Sequence, residues 1–251
     1  MAFPTIPTVG AGRVLTAIQA NTTAARTFPS LSSLTKNAGD VLIAIVAGYQ
    51  TTAASGSAWG TWGASFTEFA DLAVSSNMTI GAAWKVSTGS ETGTFTATQA
   101  ATITGHAAMI LMSIPGGHNS SAPEISAIAS GTTSAADPAS LSPSWGSDET
   151  LWIAVGANGE TGTGGTFDGL TTSPTNYSGD VESAISADAV GGTQIGVGFR
   201  QNAAASEDAG TWTLDTSNAR NVAAVIAVRP APPVPPTQLP FVVMPQYWNW
   251  L

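Results

Sequence analysis

Few side chains in this 251-residue chain could do chemistry, and their spacing limits what that chemistry is. The only histidines are His106 and His118. A Ser-His-Asp relay needs one of them beside an activated serine, and no G-x-S-x-G elbow occurs. His106 opens the apolar run "HAAMILMSI" and His118 lies in "GGHNSS", so both read as polar residues at strand ends. There is no cysteine, which excludes thiol catalysis, zinc–thiolate centres and disulfides. The acids are dispersed. Glu91 in "SETGTFT" and Glu207 in "SEDAGTWT" recur in equivalent settings. Twin Ca²⁺ or sugar ligands are one reading of them. The favoured one is a pair of turn-starting carboxylates that bond local amides, because equivalent residues of two halves stand far apart. Trp59 and Trp62 sit three apart among small residues, with Phe66 and Phe69 close behind. They make a possible ligand-binding loop that stacks sugars, or they pack as core or against another subunit, the favoured alternative. The Gly-rich "GETGTGGTFDG" lacks the lysine of a phosphate loop. No catalytic residue, metal site or cofactor is expected.

The composition narrows the partners. Apolar residues make up 43% of the chain, enough for a packed core, while charged residues make up only 9%, against about 25% in ordinary domains. The net charge is −9, and the seven cations are scattered from Arg13 to Arg229. Nucleic acids and anionic membranes need clustered cations, so neither is an expected partner. No apolar run reaches the ~18 residues of a membrane helix. The start "MAFPTIPTVGAGRV" carries no basic and apolar signal pattern, so if the protein acts outside a cell it is expected to leave by lysis or by a route the sequence does not show.

The elements that must position these residues read as strands. Short apolar runs are bounded by Gly, Asn, Asp, Ser and Pro, and helix signals are poor. Strands are expected at 40–49, 78–86, 92–98, 106–114, 149–157, 193–200, 210–215 and 221–229. The runs 41–47, 107–114 and 222–228 suit strands buried on both sides. The chain also repeats. "IGAAWK" at 80–85 answers "IGVGFR" at 195–200, and "AAMILMSIP" at 107–115 answers "VAAVIAVRP" at 222–230. The expected fold is an all-β, jelly-roll-like sandwich of eight to ten strands built from two sequence-related halves. Its parts are a packing segment at 1–38, a first repeat at 39–116, a connecting loop at 117–147 and a second repeat at 148–230. An extended Pro-rich arm follows at 231–251.

Several blocks then carry a resemblance. "GDVLIAIVA", "AAWKVSTGSETGTFT", "LSPSWGSDETLWIAV", "SPTNYSG" and "ASEDAGTWTLDTSNARNVAAVIAVRP" resemble a two-repeat β module of tailed-bacteriophage structural proteins, whether minor tail or capsid-associated. The resemblance implies a non-enzymatic virion protein, assembled in a host cytoplasm and exposed on the particle. Its expected role is capsid decoration or cementing. Its expected partners are major capsid or tail subunits and copies of itself. The alternatives are a minor tail protein and a carbohydrate-binding adhesin that recognises a host surface glycan. The arm fits the first role. Polyproline is pre-extended, so ordering it on a partner costs little entropy. Val242, Val243, Met244, Tyr247, Trp248, Trp250 and Leu251 supply apolar docking anchors.

Overall fold

The structure, a computed structural model, describes residues 2–19, 25–49, 59–73, 78–99, 105–133, 135–160, 170–185, 192–214 and 220–233. It is all-β, as the sequence leads one to expect, with antiparallel sheets.

The first half contributes β1 (Val14–Gln19), β2 (Ala25–Thr27), β3 (Val41–Tyr49), β4 (Trp59–Trp62) and β5 (Thr67–Ala73). It continues with β6 (Met78–Val86), β7 (Thr96–Gln99) and β8 (His106–Ile114). A short β9 (Glu124–Ile125) follows. The second half contributes β10 (Ala129–Gly131), β11 (Ala135–Ala136), β12 (Thr150–Glu160) and β13 (Leu170–Thr172). It ends with β14 (Ser178–Ile185), β15 (Gly192–Asn202), β16 (Trp212–Leu214) and β17 (Arg220–Val228).

The large sheet of the first half runs β1-β8-β3-β6-β5, and its small sheet runs β2-β7-β4. The second half runs β10-β17-β12-β15-β14 and β11-β16-β13. Numbered within its own half, each strand takes the same place in both. First, eighth, third and sixth in one layer, with second, seventh and fourth in the other, is the order of a jelly roll.

Two of the sequence boundaries therefore shift. Residues 1–38 hold β1 and β2, and residues 117–147 hold β9, β10 and β11, so neither is only a packing segment or a loop. The halves also do not supply one sheet each to a single sandwich. Each closes a small sheet over its own large sheet, and the two large sheets then pack on each other.

The burial pattern gives the reason. Every residue of β3 is buried. Val41, Ile43, Ile45, Ala47 and Tyr49 face the core between the two large sheets. Leu42, Ala44 and Val46 face a second core under β2, β4 and β7. In β12, Leu151, Ile153, Val155 and Ala157 enter the shared core, while Trp152 and Ala154 enter a third core below β11 and β16. A strand that alternates between two apolar faces has no polar side, so it reads as a continuous apolar run. Both faces then need cover. Trp84 is half-buried at the rim of the shared core, whereas Phe95, Phe199 and Trp212 are fully enclosed.

Candidate functional site: two unlike ends and the groups between them

The sheets end differently at their two extremities. The register sets Tyr49 opposite both Met78 and His106, and Gln19 opposite Ala107. In the second half Gly159 stands opposite Thr193 and Arg220. Gly159 lies directly against the Tyr49 ring and the Met78 sulfur, so these residues share one end of the molecule. The connections 20–24, 50–58, 74–77, 100–104, 161–169, 186–191 and 215–219 all leave from described residues at this end and return to them. At the other end, about 30 Å away for nine-residue strands, the chain enters and leaves. The Thr5 amide donates to the Pro115 carbonyl at 2.8 Å, and the Ala231 amide to the Gly116 carbonyl at 2.8 Å. Gly117 bridges to Pro230 beside them. The proline arm starts here. Its proposed anchors Val242, Val243, Met244, Tyr247, Trp248, Trp250 and Leu251 lie outside the described residues.

Trp59 and Trp62 lie on β4, with 1% and 9% of their surface exposed. A bulge between Trp59 and Thr61 shifts the register, so two residues three apart turn to the same face. A Cβ on Gly81 would come within 2.7 Å of Trp59 Cδ1, which means that the indole lies flat on bare backbone. Trp62 packs on Phe28, which stacks on Phe95, which stacks on Phe66. A sugar platform needs an open ring face. Both indoles instead form the packing between the small and large sheets, the alternative that the sequence favoured.

β5 secures this arrangement. The Trp59 amide donates to Asp71 Oδ1 at 3.0 Å, and Trp62 Nε1 donates to Glu68 Oε2 at 2.8 Å. Burial raises both carboxyl pKa values against the lowering effect of those hydrogen bonds, and Asp71 adds a further upward push on Glu68. This pair was missed in the sequence, yet a signal existed. W-x-x-W and E-x-x-D carry the same spacing and meet in antiparallel order.

Glu91 and Glu207 are each held by the cation of their own half. Glu91 Oε1 lies 3.4 Å from Lys85 Nζ and accepts from the Thr88 amide, while Oε2 accepts from the Ser87 hydroxyl. Burial raises the Glu91 pKa, but the Thr88 and Glu91 amides, Ser87 and Lys85 outweigh it and hold the carboxyl down at about 2. Glu207 is buried, and its Oε1 accepts from Arg200 Nη1 at 2.6 Å and from the Tyr177 hydroxyl at 3.3 Å. Asn202 Nδ2 donates to its other oxygen at 3.2 Å. Burial and the neighbouring Glu207 charge push the Tyr177 pKa up. Both glutamates spend their oxygens inside the fold, as turn and strand-end ties do.

The histidines are not brought together. His106 is buried at the loop end, where its carbonyl accepts from Thr193 Oγ1 at 3.2 Å. His118 lies past the far end of β8, and its Nδ1 accepts from the Ser120 amide at 3.2 Å. Among the described residues no group of three His, Asp or Glu side chains is placed to hold a metal ion.

Another set of polar groups gathers toward the loop end, buried and without partners. Arg26 leaves Nε and Nη1 unpaired, Trp59 and Trp212 leave their indole N–H groups unpaired, and Asn158 leaves both amide atoms unpaired. Asn158 sits between Gln194 and Asn221 in the ladder, so three amides form a row across the second large sheet. Nothing in the local sequence marks these residues.

Comparison with protein-family models, curated proteins and solved structures finds no match for this chain.

Proposed function

We propose that the chain is a non-enzymatic structural protein of a tailed-phage particle, most simply a decoration or cementing protein of the capsid, tethered through its C-terminal arm. The observation that carries this reading is the polarity of the fold. The Pro-rich arm departs beside Gly116 and Gly117, while the described strand ends that flank the long connections lie at the opposite end. A body with its tether at one pole and its long connections at the other suits a displayed virion protein. The doubled jelly roll supports the reading at the level of architecture only, since this topology serves viral coats and lectins alike. The blocks quoted above that resemble phage structural modules add a second line of support. Many copies, each with a modest interface, would stabilise a shell through multiplicity.

Removal of 234–251 tests the proposal. The shortened chain should fold with little change in Tm, because the last ties among the described residues, at Pro230 and Ala231, are retained. It should no longer co-sediment with particles that lack the native protein. Undiminished co-sedimentation would refute the tether. A minor tail location is tested in the same preparation by asking whether heads or tails recover the full-length chain.

A further inference from the structure

Arg26 is the second residue of β2 and is 1% exposed. It stands opposite Ala97 in the small sheet. One donor is satisfied, since Nη2 donates to the Gly105 carbonyl at 2.7 Å. Nε and Nη1 have no acceptor. Burial without a counter-charge lowers its pKa. A buried cation left without a counter-charge is costly.

Nothing in the first half can neutralise it. Asp40 is engaged by Arg13 and Ser113 near the far end. Glu68 and Asp71 accept from Trp62 and Trp59, and Glu91 from Lys85, Ser87 and Thr88. The first-half connections "ANTTA" at 20–24, "QTTAASGSA" at 50–58, "VSSN" at 74–77 and "AATIT" at 100–104 contain no Asp or Glu. Their sequences therefore offer no carboxylate in any arrangement. In the same outer core Trp59 holds a second N–H without an acceptor. Arg26 also lies only one residue in from the exposed start of β2 at Ala25.

We infer that Arg26 is the receptor for a small oxyanion that enters from the loop end, a carboxylate or a sulfate- or phosphate-type group such as acidic sugars carry. A guanidinium is suited to this because Nε and Nη1 each keep N–H donors for an anionic oxygen, and a dry setting strengthens each bond. The inference does not depend on the tether proposed above, and it survives if the arm proves dispensable.

The test uses the full chain with sodium sulfate and, in a separate arm, sodium glucuronate, each against sodium chloride at matched ionic strength. The Arg26 Nε–Hε resonance of the wild type should shift and saturate with sulfate or with glucuronate. The Tm should rise by about 2–4 °C beyond the chloride control, as a ligand specific for the native state requires. Sulfate also stabilises proteins by exclusion from their surface, an effect that does not saturate and does not need Arg26. Arg26→Gln should therefore lose at least tenfold in affinity, while Arg229→Gln should bind as the wild type does. A tighter response to sulfate or to glucuronate identifies the anion class. An Nε–Hε resonance unmoved by either salt would overturn the inference, as would an equal response in Arg26→Gln. If Arg26→Gln does not fold, the wild-type resonance alone decides.

Discussion

The two halves place an indole on a glycine by different routes. In the first, Trp59 comes from the fourth strand and lies on Gly81 of the sixth. In the second, Trp212 comes from the seventh strand of its half and lies on Gly156 of the third, where a Cβ would come within 2.8 Å of Trp212 Cγ. The position where Trp212 would fall in the first half is held by Phe95, which stacks between Phe28 and Phe66. Strand order is common to both halves, and so is the need for a glycine under a flat indole. The strand that supplies the ring is not. Layer spacing is the constrained quantity, and the side chains that set it are interchangeable between strands.

The largest expected effects would break this comparison. Trp59→Ala and Trp212→Ala should each cost about 3–5 kcal/mol, read by chemical denaturation. Because the shared core joins residues from Val14 to Val228, both variants should lower one common transition. Two separate transitions would mean that the halves fold independently. Gly81→Ala and Gly156→Ala should each cost about 1–3 kcal/mol through overpacking. A markedly cheaper change at one site would show that its indole can slide.

The ion pairs sharpen the comparison. Glu207 is enclosed and accepts three side chains, so Glu207→Gln should cost about 3 kcal/mol. Glu91→Gln should cost about 1 kcal/mol, since its pair is longer and sits among exposed turn residues. The Glu91 carboxyl also carries a pH signature. Its folded pKa of about 2 lies below the ordinary 4.5. The stability it contributes is thus present above about pH 4.5 and is lost as pH falls toward 2. Acid unfolding of Glu91→Gln should show a shallower slope across that window. The smallest effect should come from exchanging the cations. Lys85→Arg and Arg200→Lys should each change stability by less than about 0.5 kcal/mol, because each cation makes a single nitrogen–oxygen contact with its glutamate.

Much of this architecture was legible, for identifiable reasons. β3, β8 and β17 stand out as continuous apolar runs because each divides two cores. That same continuity required more layers than a single sandwich holds, and the small sheets provide them. β10 and β11 were hidden because "ASG" and "AA" are too short to show a period. β5 was hidden by a bulge between Glu68 and Ala70 that breaks the alternation of "TEFADLA". Glu91 was legible as a turn ligand because Ser87 and Thr88 lie within four residues of it, whereas Glu207 takes side chains that include Tyr177, 30 residues away. Arg26 was not legible, since its isolation depends on carboxylates committed elsewhere in the chain.

The arm continues directly from β17, which lies inside its sheet with nine residue pairs to β12 on one side and β10 on the other. A load drawn between the arm and the loop end would run along the strand axis. Ladder bonds lie across that axis, so they would be sheared together and not peeled singly. An edge strand such as β14 is paired on one side only and would resist the same load with half the ladder. The chain is thus built to carry tension from one pole to the other, and single-molecule pulling from residue 233 against residue 49 should meet a high rupture force in one step.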